Sequence, residues 1–345
     1  MNGAANNGST TETERMTMID QFKALTFGIE IETTGRSRSM VARAIQTAVG
    51  GRVEHTGGVY DTYRVIAADG RAWTAVRDSS VTGAMFGEMA EVVSPILRYE
   101  DMDTLQEVVR AIRKAGARVD STCGIHIHLG VSAFTVKAVT NLLKMVYKQE
   151  NILYRALACE SRERWAGKIG TKTYACAELM DLVNRGRIKN MDDLRKAWYG
   201  HNNLNPSHYD QSRYHGLNLH NIFFRGTVEF RWFAATLHAG KIKAYVQLVM
   251  AMGCKAINAR SASGKARREL NANTAKYDWR VFLLGLGLIG DEFKTARLHL
   301  MANLEGDSGF KDGRRQRAQV AERTPAETEA DNQTIADHIA AMSMN

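Results

Sequence analysis

The sequence predicts an α+β domain built on a mostly antiparallel sheet. Strand-type alternation dominates an early stretch, helical periodicity fills the middle, and strands return late in the chain. Three of the strand segments also share one unusual pattern. Each sets two polar, ligand-type residues two positions apart inside an apolar run: Glu30 and Glu32, His126 and His128, Glu229 and Arg231. Successive side chains of a strand point to opposite faces, so each pair shares one face. Ile29 and Ile31, Ile125, Ile127 and Leu129, and Val228, Phe230 and Trp232 are then left for the other. A sheet made of all three is apolar on one side and carries three carboxylates, two imidazoles and a guanidinium on the other.

Taken in order, residues 1–20 are rich in Asn, Gly, Ser, Thr and Glu and are expected to be disordered. A strand is expected from Leu25 to Thr33 and a helix from Ser39 to Val49, where Val41, Ala44, Ile45 and Ala48 fall at helical spacing. Tyr63–Ala67 and Ala72–Val76 form a hairpin around Ala68-Asp69-Gly70, and Glu88–Val93 is a strand stopped by Ser94-Pro95. Asp101–Ala115 is a helix with Leu105, Val108, Val109 and Ile112 on one stripe. Its start is assigned to Asp103 or to a Thr104/Glu107 capping box, and its end to Gly116. After the His126 strand, helices are expected over Thr135–Leu157, Tyr174–Asn184 and Met191–Tyr199, then a loop over Asn205–Ser212. His215–Phe223 and Thr227–Phe233 are expected as a hairpin through Phe224-Arg225-Gly226. Helices follow at Lys241–Ala259, Trp279–Leu288 and Glu292–Leu304. The chain then divides into residues 1–20, a domain over 21–304 with a helical insertion at about 135–209, and a flexible polar tail at 305–345 holding at most a short helix near Thr334–Met342.

At 345 residues, 44% apolar and 24% charged, the chain has the composition of an ordinary globular protein with a sizeable core. Its longest apolar run, Val281–Ile289, is too short to span a bilayer, so no membrane partner is expected. Met1–Thr13 lacks the basic and apolar regions of a signal peptide. The four cysteines, Cys123, Cys159, Cys176 and Cys254, show no CxxC spacing and read as reduced thiols, which makes the cytoplasm the expected location. The net charge of +9 resides largely in Arg260–Arg268 and Lys311–Arg317. Such runs are usually solvated surface, so nucleic acid is disfavoured as a partner.

Carboxylates clustered on one surface repel each other unless cations lie between them. Glu30, Glu32, Glu229 and Glu91 supply oxygens suited to Mg²⁺, and a histidine among them also accepts Mn²⁺. Arg231 suits a multi-donor grip on phosphate, and the set as a whole suits phosphoryl transfer. Gly-rich nucleotide signatures are absent, so a nucleotide must be held by metal and arginine. Any one of these pairs taken singly is usually a solvated sheet face or a surface ion pair. Their common period, each between strong strand formers, sets them apart.

Those residues resemble a family. Gly28-Ile29-Glu30-Ile31-Glu32 resembles the GxExE opening strand of carboxylate–amine ligases with the glutamine synthetase type of fold. Gly124-Ile125-His126-Ile127-His128 is similar to their GxHxH strand, and Thr227-Val228-Glu229-Phe230-Arg231 to their TxExR strand. The best match is the amidoligase family of bacteria and phages, with Trp73 through Asp78-Ser79-Ser80, Glu91-Val92-Val93-Ser94-Pro95 and Arg213-Tyr214 through Asn218 as the intervening blocks, over roughly residues 25–250. The resemblance implies a glutamine synthetase-type sheet with helices on one face, and ATP-dependent joining of a carboxylate to an amine through an acyl-phosphate. It implies metal ligation by Glu30, Glu32, Glu91, His126 and Glu229, with His128 and Arg231 toward the ATP phosphates. Asp78 and Asn218 would line the amine or acid site, and the substrates would be small molecules, peptides or proteins. Ser79 replaces the family's glycine in an Asp-Gly-Ser turn, which matters if that position needs a positive φ.

Two rival functions fit parts of the pattern. A small metalloprotein with an HxH-plus-glutamate site is one, but the next acidic residue after His128 is Glu150, on an expected helix. A basic nucleic-acid or protein-binding module on a degenerate ligase fold is the other. Iron dependence would mark the first, and loss of binding on removal of residues 305–345 the second.

Overall fold

Thr17 opens the first helix. Its hydroxyl accepts from the Asp20 amide (3.3 Å) while the Asp20 carboxylate accepts from the Thr17 amide (3.1 Å). The computed structural model describes residues 17–82, 87–169 and 174–311. Helix α1 (Met18–Ala24) buries Phe22, so residues 17–20 are ordered where disorder was expected, because this reciprocal cap satisfies the free helix-end amides and an aromatic ring anchors the turn. The rest of the expected disordered segment lies outside the described residues.

The chain continues through β1 (Phe27–Thr34), α2 (Arg38–Val49), β2 (Arg52–Gly57), β3 (Thr62–Ile66), β4 (Ala72–Val76) and β5 (Met89–Val93). Gly70, at φ +84°, makes the turn between β3 and β4. Next come α3 (Met102–Lys114), β6 (Gly124–Gly130), α4 (Val136–Leu157), α5 (Tyr174–Asn184) and α6 (Met191–Tyr199). They are followed by β7 (Leu217–Asn218), α7 (His220–Phe224), β8 (Thr227–Ala234), α8 (Ala239–Asn258), α9 (Ala275–Gly285) and α10 (Lys294–Leu300). Neither Asp103 nor Thr104 caps α3. A 3₁₀ turn precedes it, and the Asp101 carboxylate accepts from the Arg98 amide (2.8 Å) and pairs with Arg71 (2.6 Å). Gly116 does close α3, at φ +91°, with the Ala117 amide donating back to the Ile112 carbonyl.

The strands form one eight-stranded sheet, ordered β2-β3-β4-β5-β1-β6-β8-β7, and every named pairing is antiparallel. The expected α+β class with a large antiparallel sheet is therefore present. Helix α2 packs on β3, β4 and β5, α8 on β6 and α4 on β8, with α3 against α2 and α8. Their contact face is the apolar one, where Ile29, Ile31, Val92, Ile125, Ile127, Leu129 and Phe230 are buried. Within the stretch 135–209, α4 carries α5 and α5 carries α6, with Leu179, Leu194 and Trp198 buried in the core, while Arg162, Trp165, His208 and Tyr209 line the opposite face of the sheet. Among the described residues no helix is long and apolar enough to cross a membrane.

Two expectations about the late hairpin are corrected. The strand expected over His215–Phe223 is two residues long, and a single helical turn, α7, follows it. The Asn218 side chain accepts from the His220 amide (2.8 Å), which turns the backbone out of the ladder. In β8 a bulge interrupts the alternation: Phe230 stands opposite Ile127, but Phe233, not Trp232, stands opposite Ile125. The basic run from Arg260 to Arg268 is also not simple solvated surface, since Arg267 pairs with buried Glu150 (3.0 Å) and Arg268 with Asp278 (3.1 Å). Most of the second basic run and the expected terminal helix lie outside the described residues.

Candidate functional site

The face of the sheet away from the helices forms the floor of a cleft of about 400 Å³. Strand register decides which side chains meet there. β1 sets Glu30 beside His126 of β6 and Glu32 beside Glu91 of β5, and β6 sets His128 beside Glu229 of β8. Glu30, Glu32, Glu91, His126, Glu229 and Arg231 all line the cleft, as do His128, Asp78 and Asn218. Every residue singled out in the sequence is therefore on one surface.

The middle of the floor is built on Glu30. His126 Nδ1 lies 3.1 Å from Glu30 Oε2 and 3.7 Å from Glu229 Oε1, and His128 Nε2 is 3.3 Å from Glu30 Oε1 and 3.9 Å from Glu229 Oε1. That buried His128 nitrogen has no hydrogen bond of acceptable geometry, while Nδ1 is 3.2 Å from the Thr227 hydroxyl. Burial disfavours the Glu30 carboxylate, yet the charge of His128 and the charge and hydrogen bond of His126 outweigh it and hold the group well below the usual range. His128 itself resists charging through burial but is raised by Glu30 and Glu229.

At one end, Glu229 is held by three donors of the protein. Its Oε1 accepts from Arg231 Nη1 (2.5 Å), and its Oε2 from Asn218 Nδ2 (2.6 Å) and Asn221 Nδ2 (2.7 Å). Against the cost of burial, Arg231, His128 and His126 bring its carboxyl down to about 2. Asn218 thus holds Glu229 and starts α7. Arg231 uses one nitrogen on Glu229, and its buried Nε has no partner among the described residues.

The other end is acidic and poorly compensated. Oxygens of Glu32, Asp78 and Glu91 come within 4.8 Å of one another. Glu32 accepts from the Gly124 amide (2.5 Å), but burial raises it. Glu91 is raised well above the usual range, first by burial and then by the charges of Glu30, Asp78 and Glu32. Asp78 sits at the head of a turn, where its carboxylate accepts from the Ser80 amide (2.7 Å). Ser79 does not have a positive φ, so this turn needs no glycine.

Among the described residues three overlapping ligand groups result: Glu30, His128 and Glu229; Glu30, Glu91 and His126; and Glu32, Asp78 and Glu91, each with donor atoms within 4.8 Å. Glu30 and Glu91 are each shared by two groups. Carboxylate-rich sets of this kind suit hard divalent ions, and the imidazoles add a preference Mn²⁺ tolerates. The unsatisfied His128 nitrogen and the raised Glu91 both fit a cation that would relieve them.

Sequence reasoning missed the residues that rise beside this floor. Arg162 and Trp165 come from the segment after α4, and Asn221 from α7. Across the cleft the Tyr60 hydroxyl, from the β2–β3 turn, meets the Tyr209 hydroxyl at 2.9 Å. None lies in a repeated pattern. Only the Asn218/Asn221 spacing, which places both amides on one turn, carried a usable signal.

A family model described as "Putative amidoligase enzyme" matches residues 23–252. That is well over half of the chain, and the chain belongs to this family. No curated protein matches it.

Proposed function

We propose that this amidoligase family member is an ATP-dependent carboxylate–amine ligase, joining its substrates in an amide or isopeptide bond through an acyl-phosphate on a glutamine synthetase-type sheet. Family membership points to a ligase, and the substrates are small-molecule or peptide acids and amines, with protein acceptors included. One observation carries the finer reading. Three ligand groups overlap on one cleft floor, with a buried arginine beside them that keeps an unpaired nitrogen.

In this reading Glu30, Glu32, Glu91, His126 and Glu229 hold Mg²⁺ or Mn²⁺. Bound there, the ions would neutralise charge on the phosphoryl oxygens. Glu30, common to two ligand groups, couples their occupancy. Arg231, tied to Glu229 through one nitrogen, has further donors for a phosphate oxygen, and His128 flanks the same spot. The substrate carboxylate oxygen attacks the γ-phosphorus of ATP, and the bond to the bridging oxygen breaks to release ADP. The amine nitrogen then attacks the acyl carbon, phosphate leaves, and the ammonium proton passes to a carboxylate such as Asp78. Asn218 and Asn221 contribute by fixing Glu229. A cytoplasmic setting suits an ATP-consuming protein whose described cysteines, Cys123, Cys159 and Cys254, are free thiols.

The test is incubation of the full chain with ATP, Mg²⁺ and pools of amino acids and peptides, with ADP release as the readout. Glu30→Ala and Arg231→Ala should both abolish the signal. ADP formation that neither substitution reduces would overturn the assignment.

A further inference from the structure

Arg162 stands apart from the residues assigned so far. It is 5% exposed and lines the cleft, yet its only side-chain hydrogen bond among the described residues runs from Nη1 to the Cys123 carbonyl (2.9 Å), and its Nε is unpartnered. The guanidinium lies against Gly124, where an added Cβ would fall 2.1 Å from Nη2. Glycine at 124 therefore admits the arginine to the floor while its amide holds Glu32. Glu32 feels the opposing charges of Arg162 and Asp78, and no ion pair joins it to Arg162 among the described residues. A buried guanidinium with spare donors is expensive to leave unmatched, and the planar fork matches a carboxylate. Next to it, oxygens of Glu32, Asp78 and Glu91 lie within 4.8 Å of one another.

We infer that Arg162 and Asp78 form a dipolar subsite for a free α-amino acid, Arg162 gripping its carboxylate while the Asp78 carboxylate faces its amine. The inference rests on the ligase reading and deepens it. The nucleophile is an amino acid, neither ammonia nor a simple alkylamine, because only the former carries the anion that Arg162 lacks. The amine lies at the Asp78 end of the cleft, where that carboxylate can take its proton.

The test is calorimetric binding to the full chain, with Mg²⁺ and a non-hydrolysable ATP analogue present. The probes are the common α-amino acids, each compared with its α-carboxamide, which keeps the amine and loses the anion. At least one amino acid should bind about tenfold or more tightly than its carboxamide, the size of a charge-assisted hydrogen bond. Arg162→Gln should erase that ratio, and Arg162→Lys, which keeps a cation without the fork, should restore part of it. Retained binding of the nucleotide by Arg162→Gln reports an intact cleft. The acid-to-amide ratio of the unaltered protein is informative even if Arg162→Gln does not fold. Equal binding of acid and amide, no amino-acid binding at all, or a ratio that survives Arg162→Gln would each overturn the subsite. Failure of the nucleotide to bind, with the acid preference intact and dependent on Arg162, would instead sink the ligase reading and leave the subsite standing.

Discussion

Glu229 and Glu91 lie on the same floor and differ in almost everything that sets a carboxylate's charge. Glu229 receives an arginine and two asparagine amides, and settles at about 2. Glu91 is partly buried against other acids and is pushed well above the ordinary range. Sheet position alone therefore does not set a carboxylate's charge. One end of the cleft is a finished, internally neutralised scaffold. The other stores repulsion that a divalent cation or an ammonium would release.

The largest effect is expected from breaking the finished end. Arg231→Ala leaves Glu229 buried without its main partner, which costs about 3–5 kcal/mol of stability. ADP formation should fall about 100-fold or more, beyond what the lost stability explains. Chemical denaturation and the ADP assay, run on the same preparation, measure both. A variant with native stability and activity would show that Glu229 is held by Asn218 and Asn221 alone.

Next in size is the pH response of the metal-free protein, which separates the two ends by sign. The Glu229 carboxyl is depressed, so its stabilisation is present above about 4.5 and is lost as pH falls toward 2. Glu91 and Glu32 are raised, so the folded state keeps protons that the unfolded chain releases, and stability falls as pH rises above about 4.5. Glu150, buried on α4 far along the chain and raised to about 7, adds a slope of the same sign between about 4.5 and 7, near 1.4 kcal/mol per pH unit. Its main cause is burial, only partly offset by the Ile169 amide and Arg267. Glu150→Gln should remove that share, and Mg²⁺ should flatten what remains. Thermal unfolding from pH 5 to 8 reads the slope. A remainder indifferent to Mg²⁺ would mean that the open end does not bind the ion.

The smallest change sharpens the same contrast. Glu91→Gln removes one repelling charge and should raise the midpoint of the metal-free protein by about 2–4 °C. The same substitution should weaken the stabilisation given by Mg²⁺ or Mn²⁺. A lower midpoint without metal would indicate that Glu91 is held by contacts its neighbours' charges do not reveal.

Much of the site was legible because a strand's period of two is rigid. Glu30/Glu32, His126/His128 and Glu229/Arg231 had to share faces once their segments were strands, and the apolar partners fixed which face met the helices. The period fails where the backbone leaves the ladder. The β8 bulge handed the place opposite Ile125 to Phe233, and an Asn218 side chain turned an expected strand into a helical turn. Capping was equally local and equally deceptive at α3, where neither Asp103 nor Thr104 caps and the Asp101 carboxylate instead accepts from Arg98 at the start of the preceding 3₁₀ turn and pairs with Arg71. Arg162 carried no signal at all. Its role depends on a glycine 38 positions earlier that leaves room for it.

By itself, then, the sequence determined the sheet-forming segments, the polar and apolar sides of each, and the residue types available for chemistry, because these follow from local periodicity. Only the tertiary structure decided that Glu32 meets Glu91, that His128 meets Glu229, and that Arg162 and Asn221 come down beside them. Strand order and register bring together residues far apart in the chain, and charge compensation, which separates Glu229 from Glu91, exists only once those neighbours are in place.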